Sequence, residues 1–94
     1  MARIEFDARK SERNARDRGL PFERAADFDW ENAILVPDVR RDYGEARLVA
    51  TGMLDGRLHM LCFIRIPDGI RVISLRKANE REVLEYEQAK AADE

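Results

Sequence analysis

The chain has one cysteine, one histidine and no long apolar run. A lone cysteine, Cys62, cannot close an intramolecular disulfide. It sits inside an apolar strand pattern, which makes it a core residue rather than a nucleophile and points to a reducing cytoplasm. One histidine with one cysteine cannot build a zinc site. His59 alternates with Leu61, Phe63 and Arg65, opposite Leu58, Met60, Cys62 and Ile64, and reads as a half-buried structural residue. The apolar runs are far too short to cross a bilayer, and Met1–Asp7 lacks the apolar core of a signal peptide. Absent too are a glycine-rich phosphate loop, G-x-S-x-G, H-E-x-x-H and calcium-loop patterns, and the acidic residues show no metal-ligand spacing. Any catalysis is therefore expected to proceed without metal or cofactor.

What is present fits a single domain over residues 1–94, with enough chain for one modest core. Hydrophobic residues make up 45% and charged residues 38%, as in a compact protein with a densely charged surface. The net charge of −2 hides an uneven spread. Residues 33–78 carry 8 basic and 5 acidic side chains, whereas residues 79–94 carry 2 and 6. Whole-chain charge argues against strong nonspecific nucleic-acid binding, yet the basic middle leaves room for a local anion site.

The pattern predicts an α+β fold: two N-terminal helices, an antiparallel four- or five-stranded sheet and a C-terminal helix. Ile4 and Phe6 form a short apolar start. Asp7 is then a good N-cap for a helix running to Arg18, which Gly19 ends. Pro21 suits the first turn of a second short helix with Phe22, Ala25 and Ala26 inward, and Phe28 and Trp30 anchor the next segment. Ala33–Val36 is a short apolar run. Residues 46–54 and 57–66 flank Asp55-Gly56, the strongest short hairpin signal. Residues 70–77 come after Pro67-Asp68-Gly69, read as a three-residue turn with Gly69 left-handed, and complete an antiparallel meander. Asn79 with Glu82 forms a capping box for the last helix.

Two clusters carry candidate chemistry. The first is the strand exit at Ser74, Arg76 and Lys77. Long charged side chains seldom end a core strand for packing alone, and a rigid strand fixes where cations point. Alternation groups Ser74 and Arg76 with Val72, and Lys77 with Leu75. The second is the loop Asp38–Arg47, with Arg40, Arg41 and Arg47 as phosphate ligands, Glu45 as a proton acceptor and Tyr43 as a stacking ring. Each has a plain alternative: a solvated loop with local ion pairs, and strand-end cations pairing with acids of the last helix.

Four segments resemble the BrnT toxins, the ribonuclease halves of type II toxin–antitoxin modules, with a RelE/ParE-like fold. They are Phe6-Asp7 with Lys10 and Asn14; Gly19 to Phe22-Glu23 with Ala25; Asp42-Tyr43-Gly44-Glu45 with Arg47; and Ile70 to Ala78 with Glu82. The resemblance implies a small cytoplasmic protein that cuts RNA and is neutralised by a cognate ribbon-helix-helix antitoxin. It also implies contact with operator DNA only through that antitoxin, and no membrane. Glu45, Arg47 and Arg76 carry over as catalytic residues, and Ser74 and Lys77 as phosphate ligands. The chain departs from many relatives in two places. It has Asp17-Arg18 where they carry Lys-His, and Arg41 where they carry a histidine.

The implied reaction is attack of a ribose 2′-hydroxyl on the adjacent phosphorus. Arg47 and Arg76 would stabilise the charge building on phosphate, and Glu45 would take the proton. The acid is left unassigned, with Tyr43 one candidate, because the histidine positions are replaced and an arginine is too weak an acid. The competing expectation is a toxin-fold binding module, weak or inactive in catalysis, that engages an antitoxin or another protein. A lone structural domain without a nucleic-acid role is the third.

Overall fold

Two tight turns organise the sheet. In the computed structural model, which describes residues 3–93, Asp55 and Gly56 lie at φ 53° and 74°. Both residues of the loop are left-handed, the geometry whose twist matches the flanking strands and which glycine adopts without penalty. The loop joins β3 (Leu48–Leu54) to β4 (Arg57–Ile66) with Leu54 opposite Arg57. The second turn is shorter than the sequence suggested. Pro67 and Asp68 alone connect β4 to β5 (Gly69–Lys77), and Gly69 is a strand residue paired with Ile66 rather than a left-handed turn residue. Glycine is needed there for another reason: a Cβ would run into the backbone carbonyl of Arg3.

That contact belongs to β1 (Arg3–Glu5), which pairs parallel to β5 with Arg3 opposite Gly69. The sheet is therefore five-stranded and mixed, in the order β1-β5-β4-β3-β2, with β2 at Ile34–Pro37. The expected all-antiparallel sheet holds for β2 to β5 and fails for β1. Residue alternation reports burial, not strand direction, and β1 meets β5 from the far end of the chain.

α1 (Ala8–Arg18) starts where Asp7 accepts from the backbone N–H groups of Arg9 and Lys10, at 2.9 and 3.2 Å, and ends at Gly19. Its inward residue is Ser11, whose hydroxyl accepts from the Phe22 N–H at 2.8 Å and donates to Glu23 at 3.1 Å. The second helix is a 3-10 segment, Phe22–Asp27. Its repeat of three residues per turn stacks Phe22 over Ala25 in the core and turns Ala26 outward, contrary to expectation.

The core lies between this N-terminal layer and one face of the sheet. Leu61 and Leu75 are fully buried, each contributing roughly 1.5–3 kcal/mol of burial. Trp30 packs edge-on between Phe28 and Phe63, at centroid distances of 4.9 and 5.2 Å, and its indole donates to the Ala25 carbonyl at 3.0 Å. His59 joins this face, almost fully buried, with Nδ1 2.8 Å from the Arg57 carbonyl.

A bulge in β5 corrects the predicted alternation. Cys62 pairs with Ser74 and Phe63 with Val72, so Ile73 is an extra residue. Val72 and Leu75 consequently both face the core. Ser74 and Arg76 turn to the opposite face, beside Cys62 and Met60, and not to the side of Val72. β1 covers only the first residues of β5. Beyond it α1 lies along the strand's flank, where Asn14 Nδ2 donates to the carbonyls of Leu75 at 2.9 Å and Leu20 at 2.7 Å.

α2 (Glu80–Ala92) begins with the expected capping box between Asn79 and Glu82 and has no buried residue. It leans over the sheet's second face across a shallow groove lined by Ile34, Met60 and Tyr86. Lys90 reaches the Asn32 carbonyl at 2.7 Å. No helix among the described residues is long and apolar enough to cross a membrane.

Candidate functional site

Three clefts meet at the β5 bulge. The first, about 370 Å³, is lined by Lys10, Glu45, Arg47, Arg71 and Ile73 among others. The second, about 320 Å³, takes in Asp38, Arg40, Cys62, Ser74, Arg76 and Glu82. A third runs along α1 and includes both Ile73 and Ser74. The bulge thus sets the site's centre, because it turns Ser74 away from the core while Val72 and Leu75 stay packed.

In the first cleft Arg47 is the central group. Its Nη2 is 3.3 Å from Glu45 Oε1, and its guanidinium lies 4.0 Å from the centroid of the Tyr43 ring. Arg41 approaches the same ring at 5.1 Å, and both Arg41 and Tyr43 line a neighbouring cleft that shares Glu45 and Arg47 with the first. The Arg47 side chain is only 22% exposed, and its buried Nε has no hydrogen-bond partner. Because that Nε is closed off, an anion entering the cleft would be met by the terminal nitrogens of the guanidinium. Cation, carboxylate and phenol are therefore brought together, as the loop's composition predicted.

The second cleft is more self-satisfied. Arg40 binds both oxygens of Asp38, at 2.9 and 2.8 Å. The Asp38 side chain is 1% exposed and its backbone N–H donates to the Arg47 carbonyl at 2.8 Å, so Asp38 ties the loop to the start of β3. The Arg40 guanidinium outweighs burial and holds the Asp38 carboxyl well below the usual carboxylate range. Arg76 binds both oxygens of Glu82 at 2.8 Å, which lowers the Glu82 carboxyl to about 2 and raises the Arg76 guanidinium. Burial pushes the Cys62 thiol up, away from nucleophilic thiolate.

The predicted residues thus fall into neighbouring groups. Glu45, Arg47, Tyr43 and Arg41 form one; Ser74, Arg76 and Arg40 form the other. No one cleft is lined by both Arg47 and Arg76. Lys77 is exposed at the strand's end and lines none of the three clefts. The plain alternatives also hold in part: Arg76 does pair with an acid of the last helix, and the loop does contain local ion pairs. Sequence reasoning missed Arg71, which shares Glu5 with Arg3; it offered pairing of the strand-end cations with acids of the last helix without singling out Glu82. Arg71 carried no signal beyond an outward strand position. Glu82 was visible as a cap, but its reach to Arg76 depends on how α2 leaves β5. Among the described residues no three His, Cys, Asp or Glu side chains converge as metal ligands would.

A family model described as the ribonuclease toxin, BrnT, of type II toxin–antitoxin systems matches residues 6–82. The chain belongs to the BrnT family. The matched stretch takes in α1, the loop with Glu45 and Arg47, the β5 bulge and the Arg76–Glu82 pair. As a BrnT toxin it is a ribonuclease toxin of a type II toxin–antitoxin system, with an RNA substrate and an antitoxin partner. Comparison with curated proteins finds no match.

Proposed function

We propose that this BrnT chain is a cytoplasmic, metal-independent endoribonuclease that cleaves RNA by 2′-hydroxyl attack and is neutralised by a ribbon-helix-helix antitoxin. Operator DNA would be reached only through that antitoxin. The order of helices and strands supports a RelE/ParE-like arrangement. The observation that carries the catalytic reading is Arg47, held between Glu45 and Tyr43 with a buried, unused Nε.

In this mechanism Glu45 accepts the 2′-hydroxyl proton as the 2′-oxygen bonds to phosphorus. The bond from phosphorus to the 5′-oxygen breaks, leaving a 2′,3′-cyclic phosphate, and the departing oxygen takes a proton from Tyr43. Arg47 stabilises the charge on the non-bridging oxygens, with Arg76 contributing from the adjacent cleft once phosphate competes with Glu82. Arg40, Arg41, Ser74 and Lys77 are proposed phosphate ligands, the last at the margin. Purified protein should cut single-stranded RNA to cyclic-phosphate ends. Arg47→Ala should lose about 100-fold or more in rate, the scale expected for removing one transition-state donor. Equal activity in wild type, Arg47→Ala and Arg76→Ala would sink the assignment.

A second reading is a catalytically weak toxin-fold module that chiefly engages its antitoxin. It is favoured by the two-armed pairs Arg40–Asp38 and Arg76–Glu82, which occupy cations the reaction needs, and by Arg18 and Arg41 at histidine positions of relatives. It predicts tight antitoxin binding with no RNA cleavage.

A further inference from the structure

Among the described residues, Arg3, Arg24, Arg40, Arg47, Arg71, Arg76 and Arg81 form ion pairs. Of the ten cations that form none, Arg41, Arg57, Arg65, Lys77 and Lys90 are scattered over the chain, while Arg9, Lys10, Arg13, Arg16 and Arg18 are gathered on α1. Several of these are three or four residues apart, which is unfavourable on a helix surface and is offset only in part by Glu12, at that spacing from Arg9 and Arg16, and Asp17, at that spacing from Arg13.

Lys10, Arg13, Asn14, Asp17 and Arg18 share one face of α1 and, with Ile73 and Ser74, line a cleft of about 290 Å³. Lys10 and Ile73 also line the cleft of Glu45 and Arg47, and Ser74 that of Arg76. The α1 cleft therefore opens onto both halves of the catalytic region. The Asn14 bond to the Leu75 carbonyl fixes the helix against the strand that carries Arg76. A solvated helix face would also be charged. It would not need to share lining residues with the cleft of Glu45 and Arg47, as this one does through Lys10 and Ile73.

We infer that α1 carries a subsite for the RNA backbone, in which Lys10, Arg13 and Arg18 hold phosphates flanking the one that is cut. The inference rests on the ribonuclease reading of the adjoining clefts. Lys10 and Arg18 are roughly 12 Å apart along the helix axis, enough for more than one phosphate of an extended strand. Asp17 is the one acid of this cleft and separates Arg18 from the other two cations. Phosphate contacts of this kind position the strand without reading its sequence.

The test compares two double variants of equal charge, Arg13→Gln/Arg18→Gln, which lines the α1 cleft alone, and Arg9→Gln/Arg16→Gln, which lines none of the three clefts. Glutamine is a good helix former, so both should fold. KM and kcat for a single-stranded oligonucleotide and for a dinucleotide would be measured across a salt series. The cleft variant should raise KM for the oligonucleotide about 10-fold and lower the salt slope by about 1.4, with kcat unchanged, and should not affect the dinucleotide. The Arg9/Arg16 variant should change KM less than 3-fold. Equal losses in both variants would mean diffuse attraction and overturn the subsite. An unchanged cleft variant would do so too, and if Arg47→Ala still abolished cleavage the ribonuclease reading would stand alone. Retained RNA affinity with lost antitoxin binding would reassign the face to protein docking. A wild-type protein that neither binds nor cuts RNA would overturn both readings together.

Discussion

Arg76 and Glu82 lock across the junction of β5 and α2, each guanidinium arm 2.8 Å from one carboxylate oxygen. The same Glu82 accepts the Asn79 backbone N–H at 2.9 Å, so one carboxylate both starts the last helix and holds the strand-end cation. In the proposed site, substrate phosphate would compete with Glu82 for Arg76, and the pair would set how strongly this side of the site attracts RNA.

Replacing Glu82 with Gln separates the two duties. Glutamine at this position still completes a capping box, but it no longer neutralises Arg76. RNA affinity should rise, by roughly 3- to 10-fold at low salt, and the gain should shrink as salt is added. Fluorescence anisotropy with labelled RNA would measure it. Unchanged affinity would mean that Arg76 does not meet RNA.

The pair also makes stability depend on pH. Glu82 titrates near 4.5 when free and near 2 in the folded protein, so the folded state binds its proton more weakly than the unfolded state. The resulting stabilisation is complete above about pH 4.5 and is lost as pH falls towards 2. Asp38, held low by Arg40, acts in the same direction. The urea midpoint should fall between pH 6 and pH 3, and the fall should be smaller in Glu82→Gln, where only the remaining carboxylates contribute.

Ser11→Ala should destabilise the protein by about 1–3 kcal/mol, because the buried Phe22 N–H loses its only acceptor. Glu23, which is exposed, can turn to water. Chemical denaturation would give the value. A change below about 0.5 kcal/mol would mean that water or a shifted chain satisfies Phe22, contrary to the packing around Ser11.

Gly69→Ala should cost about 3 kcal/mol, at the upper end for overpacking, because the new methyl meets backbone rather than a movable side chain. The damage should concentrate in β1. The Arg3 N–H, bonded to the Asp68 carbonyl at 2.8 Å, should exchange with solvent much faster in the variant. Uniform loss of protection across β3 and β4 would contradict this local origin.

The meander from β3 to β5 was legible because turn residues punctuate it and apolar positions alternate between the turns. The caps of α1 and α2 were legible because Asp7 and Asn79 act within their own turns. What escaped involved partners distant in sequence or a change of repeat. β1 gave no sign of its direction, Ala26 obeyed a three-residue repeat, and the bulge at Ile73 reversed the side on which Ser74 and Arg76 emerge relative to Val72. The loop group around Arg47 was readable from composition, since its members are close in sequence. That strand-end cations could meet acids of the last helix was legible, but which acid required knowing how α2 leaves the strand, and the exposed cations of α1 gave no hint until the helix was seen against β5.

The short β1 has a consequence for how the molecule behaves in a crowded cell. A β5 left bare beyond Glu5 would offer a template on which a strand of another molecule could add, the first step towards aggregation. α1 blocks that approach with a helix crowded with cations, and at the sheet's other end β2 is only four residues long and finishes in Pro37. The charges inferred to draw RNA in are thus also suited to keep copies of the protein apart.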